Sequence, residues 1–99
     1  MLYRQGDILL KPISQFPSNI FKKKDLIIAY GEITGHTHQF TDPNLVSVYE
    51  LNQQLFVEIE DTSELVHDEH NTLLIPQGKY EVIRQREVDL SEEIRKVMD

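Results

Sequence analysis

The chain carries four histidines, and they fall in two places only, His36-Thr37-His38 and His67-Asp68-Glu69-His70. Each spacing can turn both members of a pair the same way. On an extended strand residues two apart share a face, so His36 and His38 point together from one side of a sheet. The second pair converges by either of two routes. His67 and His70 are cross-strand neighbours if Asp68-Glu69 is the tip of a two-residue hairpin, and i, i+3 neighbours if 62–70 is a helical turn. Two convergent pairs of neutral imidazoles are what a borderline divalent metal accepts: zinc first, with nickel, manganese or iron as the other choices. His36, His38, His67 and His70 are therefore the expected metal ligands, with Asp42, Glu69 and Glu81 as carboxylate supplements.

The number of ligands decides the chemistry. Four imidazoles close a site, which is then structural or regulatory, whereas three leave a position for water whose pKa zinc can depress to about 7. In the open case Glu69 or Asp42 serves as general base, and Arg84 or Arg86 holds a small anionic substrate in a pocket that Tyr80 lines. That is metal-assisted hydrolysis or lyase chemistry. Two other classes stand beside it. His70-Asn71-Thr72 is an H-x-T unit, which two-histidine phosphoesterases use without a metal to activate a ribose hydroxyl, although His36-Thr37-His38 does not complete a second one. Alternatively the histidines are solvated or pH-responsive surface groups of a non-catalytic protein-interaction or regulatory module.

Composition narrows the field. Ninety-nine residues suit one domain with one core, spanning 1–99, and a chain this small benefits from forming a homodimer. There is no cysteine, so disulfides, thiolate metal sites and cysteine nucleophiles are excluded and any metal sits on nitrogen and oxygen. The formal charge of −7 disfavours a broad nucleic-acid surface. Lys22-Lys23-Lys24, the one basic run, reads as a solvated loop. No apolar run approaches membrane-spanning length, and Met1 to Asp7 lacks the basic start and apolar stretch of a signal peptide, so the expected location is cytoplasmic.

The elements that must position the histidines are short strands, because β-branched and aromatic residues dominate nearly every apolar run. The fold class is mainly β, a small barrel or sandwich. Strands are expected over Asp7 to Ile13, Leu26 to Thr34, His36 to Thr41, Leu45 to Leu51 and Leu55 to Ile59. Asp42-Pro43-Asn44 is a turn, since Asp can bond the following backbone and Pro fixes the next φ. The inward face of Leu45 to Leu51 is ambiguous, with Leu45, Tyr49 and Leu51 opposed to Val46 and Val48. Thr72 to Pro76 and Lys79 to Val88, separated by Gln77-Gly78, read as a hairpin. After it, Leu90, Ile94 and Val97 stand at helical spacing with acids first and bases last, which predicts a short amphipathic helix over 89–98.

Two resemblances add to this reading. Gly35, His36-Thr37-His38 and Asp42, followed later by Pro76-Gln77-Gly78 and Glu81, resemble the two-part metal motif of the cupin superfamily. That likeness implies a small β-barrel holding a metal inside, with Asp42 at the place of the family's glutamate and Glu81 at that of its last histidine. His67 and His70 lie between the two parts and could supply the missing nitrogens. Taken whole, the chain is similar to a family of small, functionally uncharacterised prokaryotic and phage proteins, through Gln5-Gly6-Asp7, Gly31 to His38 and Arg84 to Glu87. No activity comes with that second likeness.

Overall fold

The computed structural model describes residues 2–30 and 35–85. Within them the backbone forms ten strands: β1 Tyr3–Gln5, β2 Ile8–Ile13, β3 Phe21–Lys22, β4 Ile27–Tyr30, β5 Thr37–Phe40, β6 Val46–Leu51, β7 Gln54–Ile59, β8 Ser63–His67, β9 His70–Ile75 and β10 Gly78–Arg84. They make two antiparallel sheets, ordered β1-β2-β10-β7-β6-β3 and β4-β5-β8-β9. The expected β class holds. No ladder joins the two sheets among the described residues, so the arrangement is open and not the closed barrel that the cupin likeness implied. No described helix is long and apolar enough to cross a membrane. The helix expected over 89–98 lies outside the described residues.

Alternation along each strand explains the core. Ile8 and Leu10 on β2, Val46 and Val48 on β6, and Val57 and Ile59 on β7 turn inward and meet Ile28, Phe40, Leu65 and Ile75 of the smaller sheet. All are at most 3 % exposed. Burying each such side chain is worth about 1.5–3 kcal/mol. The ambiguity on β6 is thereby settled in favour of Val46 and Val48. Phe56 is buried on the opposite face of β7, where Phe16 from the loop after β2 packs on it with ring centroids 5.9 Å apart, and on Tyr49 at 5.5 Å. An aromatic side chain in an irregular loop thus covers the outer side of the larger sheet.

One expectation about hairpins changes and one open alternative is decided. The arms either side of Gln77-Gly78 do not pair. β9 pairs with β8, whereas β10 pairs with β2 and β7, so Gln77-Gly78 is the corner at which the chain leaves one sheet for the other. The reason is Ser63 to His67, a strand not foreseen, which takes β9 as its partner. At Asp68-Glu69, by contrast, the hairpin route is the one adopted and the helical turn is excluded, with His67 paired to His70.

The β6–β7 hairpin turns through Asn52 and Gln53, both at positive φ of 50° and 69°. Such a two-residue turn matches the twist of the flanking strands, but its second position favours glycine over a residue with a Cβ. Gln53→Gly should therefore stabilise the domain by about 0.5–1 kcal/mol, measured as a higher midpoint in urea. A lower midpoint would mean that the Gln53 side chain contributes more than its backbone costs.

Candidate functional site

β5 brings the first histidine pair to the interior by simple parity. His38 and Phe40 alternate inward with 1 % and 2 % exposure, and His36 precedes the strand on the same side. The second pair needs an irregularity. Ser63 opposes Ile75 and Leu65 opposes Leu73, a register in which His67 would face Asn71 and leave His70 on the outer side. Between those pairs the register shifts, giving β9 one residue more than β8 and placing His67 opposite His70. A bulge of this kind re-aims side chains, and here it turns His70 toward the other histidines.

All four imidazoles meet. Ring centroids lie 4.3 Å apart for His38 and His67, 4.6 Å for His67 and His70, 5.9 Å for His38 and His70, and 5.7 Å for His36 and His67. His38, His67 and His70 form the compact part. His36 stands at its margin, with its two ring nitrogens 3.4 Å from a Glu69 carboxylate oxygen and 3.6 Å from one of Asp68. His67 Nδ1 accepts the Glu69 backbone N–H at 3.0 Å, a bond that holds the β8–β9 turn. Among the described residues, no three His, Asp or Glu side chains already stand in a metal-coordinating arrangement.

The β1–β2 turn, Gln5-Gly6-Asp7, closes the cluster from the other sheet. Gln5 is buried, and its amide nitrogen donates to the carbonyls of Leu65 at 2.8 Å and Asn71 at 2.9 Å. Gln5 Oε1 is 2.9 Å from His38 Nδ1. Gly6 has φ +60°, and a Cβ there would come within 2.7 Å of His70 Nε2, so this glycine makes room for an imidazole as well as turning the chain. Asp7 places one carboxylate oxygen 3.7 Å from His38 Nε2 and the other 3.5 Å from Arg84 Nε. None of these three residues is recognisable from histidine spacing. Their only sequence signal is the tripeptide itself, which carries the likeness to the uncharacterised family but no chemistry.

The other expected site residues are distributed as follows. Arg84 lines a cleft of about 480 Å³ between the sheets, together with Ile8, Ile28, Tyr30, Leu55 and Val82, and it also donates to the Tyr30 carbonyl. Tyr80 is buried in the core, its hydroxyl donating to the Pro76 carbonyl at 2.8 Å, so it does not line that cleft. Asp42 accepts the Asn44 N–H at 2.9 Å and serves its own turn. Glu81 accepts from the Gln54 amide. The carboxylates of the cupin-type set are thus engaged elsewhere, and the second histidine pair stands beside the first instead. Glu69 lies at the cluster, and Arg86 is outside the described residues.

Fold and site together define an open two-sheet antiparallel β domain with a histidine cluster built at one end of the smaller sheet. The chain belongs to a family described as a domain of unknown function (DUF8820), whose model matches residues 4–85. No curated protein and no solved structure matches it.

Burial, and after it the neighbouring His67, lowers the pKa of His38 to about 4 from 6.5, with Asp7 pulling upward and His70 and Arg84 adding to the depression. The folded protein therefore holds His38 neutral where the unfolded chain would protonate it. Stability from this group is fully present above the ordinary pKa and is lost as pH falls from about 6.5 toward 4. In the metal-free protein the loss should amount to about 3 kcal/mol across that window. Denaturation at pH 7.5, 6, 5 and 4 should show a slope that His38→Leu flattens, and identical slopes would remove His38 from the titration.

Proposed function

We propose that the domain binds one divalent metal at the histidine cluster, through His38, His67 and His70 with His36 as fourth ligand or as the group beside the metal. The observation that carries this reading is the convergence of every histidine in the chain on one point from two separate segments. Two imidazoles on one tetrahedral zinc, with Zn–N of about 2.0–2.1 Å, hold their ring centroids about 5 Å apart. The four separations between 4.3 and 5.9 Å bracket that value. No coordinating arrangement is preformed among the described residues, so binding would require the rings to reorient. His67 exchanges one partner in the process: whichever nitrogen it offers, the bond from the Glu69 N–H gives way to the metal.

The marginal position of His36 favours an open centre over a closed four-histidine one. Three ligands leave room for water, and His36 with Glu69 at 3.4 Å is placed to move a proton beside it. Arg84, paired with Asp7 beside His38, lines the cleft between the sheets, and a small anionic substrate there would have to compete with Asp7 for its guanidinium. On this reading the reaction is hydrolysis or elimination at such a substrate. Its metal is zinc, with nickel, manganese or iron as the other candidates for a nitrogen and oxygen site.

Elemental analysis of the purified, untagged protein should give near-stoichiometric metal, and a His36→Ala/His38→Ala variant should lose it. Chelation should lower the melting temperature of the parent protein only. Affinity should also fall as pH drops through the imidazole range, because each protonated ring is lost to the site. Absence of metal after reconstitution with zinc, or full retention near pH 5, would sink the proposal and leave a partner-binding role. Turnover unaffected by chelation would instead favour the metal-free phosphoesterase reading of His70-Asn71-Thr72.

A further inference from the structure

Two atoms of the cluster that can each offer a lone pair, His38 Nε2 and a carboxylate oxygen of Asp7, stand 3.7 Å apart. The Gln5 amide fixes one of them. Its nitrogen side points at two carbonyl oxygens, Leu65 at 2.8 Å and Asn71 at 2.9 Å, which can only accept. The amide therefore cannot be turned the other way, and the atom 2.9 Å from His38 Nδ1 is an oxygen. An oxygen there requires Nδ1 to carry the proton. His38, 1 % exposed, is then the Nδ1–H tautomer, and its Nε2 presents a bare lone pair. Facing that lone pair at 3.7 Å is a carboxylate oxygen of Asp7, whose other oxygen lies 3.5 Å from Arg84 Nε.

Asp7 is 26 % exposed and also pairs with Arg84, so what bears on a metal is the spacing between the two acceptors. A zinc ion bound to one nitrogen and one oxygen at tetrahedral angles separates those atoms by about 3.4 Å, close to the gap present here. An imidazole that gives its second N–H to a fixed oxygen is also the usual outer support of a metal-bound histidine.

We propose that Asp7 is an oxygen ligand of the metal centre, reached through His38 Nε2, and that Gln5 is the positioning residue that holds His38 in the coordinating tautomer. Gly6 completes the segment by leaving space for His70, so the whole β1–β2 turn belongs to the site. The proposal rests on the metal reading above and deepens it: the ligand set is mixed imidazole and carboxylate. Such a set suits zinc, manganese or iron, metals that can add a fifth or sixth ligand and so still hold water.

Two measurements test it. In the metal-free protein, two-bond ¹H–¹⁵N correlation spectra report the His38 tautomer directly. Nδ1–H is expected in the parent and a shift to Nε2–H or a mixture in Gln5→Leu, while Nε2–H in the parent would overturn the role of Gln5 whether or not metal binds. Zinc affinity, read by competition with a fluorescent chelator, should fall 10- to 100-fold in Gln5→Leu and at least about 100-fold in Asp7→Asn. An Asp7 that serves only its ion pair with Arg84 would lower the melting temperature of the metal-free protein and leave zinc affinity unchanged, which overturns the ligand assignment alone. A parent protein that takes up no zinc overturns this proposal together with the reading beneath it.

Discussion

A neutral imidazole buried between two sheets requires a partner of fixed polarity, and the amide of Gln5 is that partner for His38. The constraint is strict because the amide is itself fully used, with two carbonyls taking its N–H groups and one ring nitrogen meeting its oxygen. A buried polar network is favourable when its members are satisfied, and here the whole Gln5 amide and Nδ1 of His38 are. It also joins the parts. Gln5 lies on the larger sheet, Leu65 and Asn71 on two strands of the smaller one and His38 on a third, so one side chain sets how the sheets meet at the site. Isolated burial of the same imidazole would cost roughly 1–3 kcal/mol for each polar atom left without a partner.

The rest of the cluster follows from local geometry around that junction. Strand parity supplies His38, the extra residue in β9 supplies His70, and the tight turn at Asp68-Glu69 puts His67 beside it. The glycine of the β1–β2 turn gives up a side chain so that an imidazole can occupy the same volume. The ring contacts are close enough that a charge on one is felt by the next, which is part of why His38 resists protonation. A ring whose pKa is lowered in this way keeps its lone pair unprotonated to lower pH than a free imidazole does.

Much of this was legible in residue order, for reasons that can be named. A period of two places His36 and His38 on one face whatever the rest of the sheet does, and the spacing of His67 and His70 makes them neighbours in a hairpin and in a helical turn alike, so their convergence was legible and the route was not. β2, β5, β6 and β7 were readable from runs of β-branched residues. The partnership of β8 and β9 was not, because pairing depends on which strand competes best, and Ser63 to His67 has too few β-formers to announce itself. The turn at Gln77-Gly78 has good hairpin composition but joins different sheets. Gln5 was invisible for a deeper reason: its partners lie 33, 60 and 66 residues away, and no local pattern reports a contact at that separation.

Those separations also order events in time. The β6–β7 and β8–β9 hairpins close loops of a few residues and can form early, whereas contacts spanning sixty residues wait until the chain between them is largely in place. The β1–β2 hairpin can likewise form alone, but its Gln5 finds no carbonyl to donate to before the smaller sheet exists. The histidine cluster is therefore among the last features to be completed as the chain folds. A chain without both sheets carries the same four imidazoles but not the geometry that brings them together.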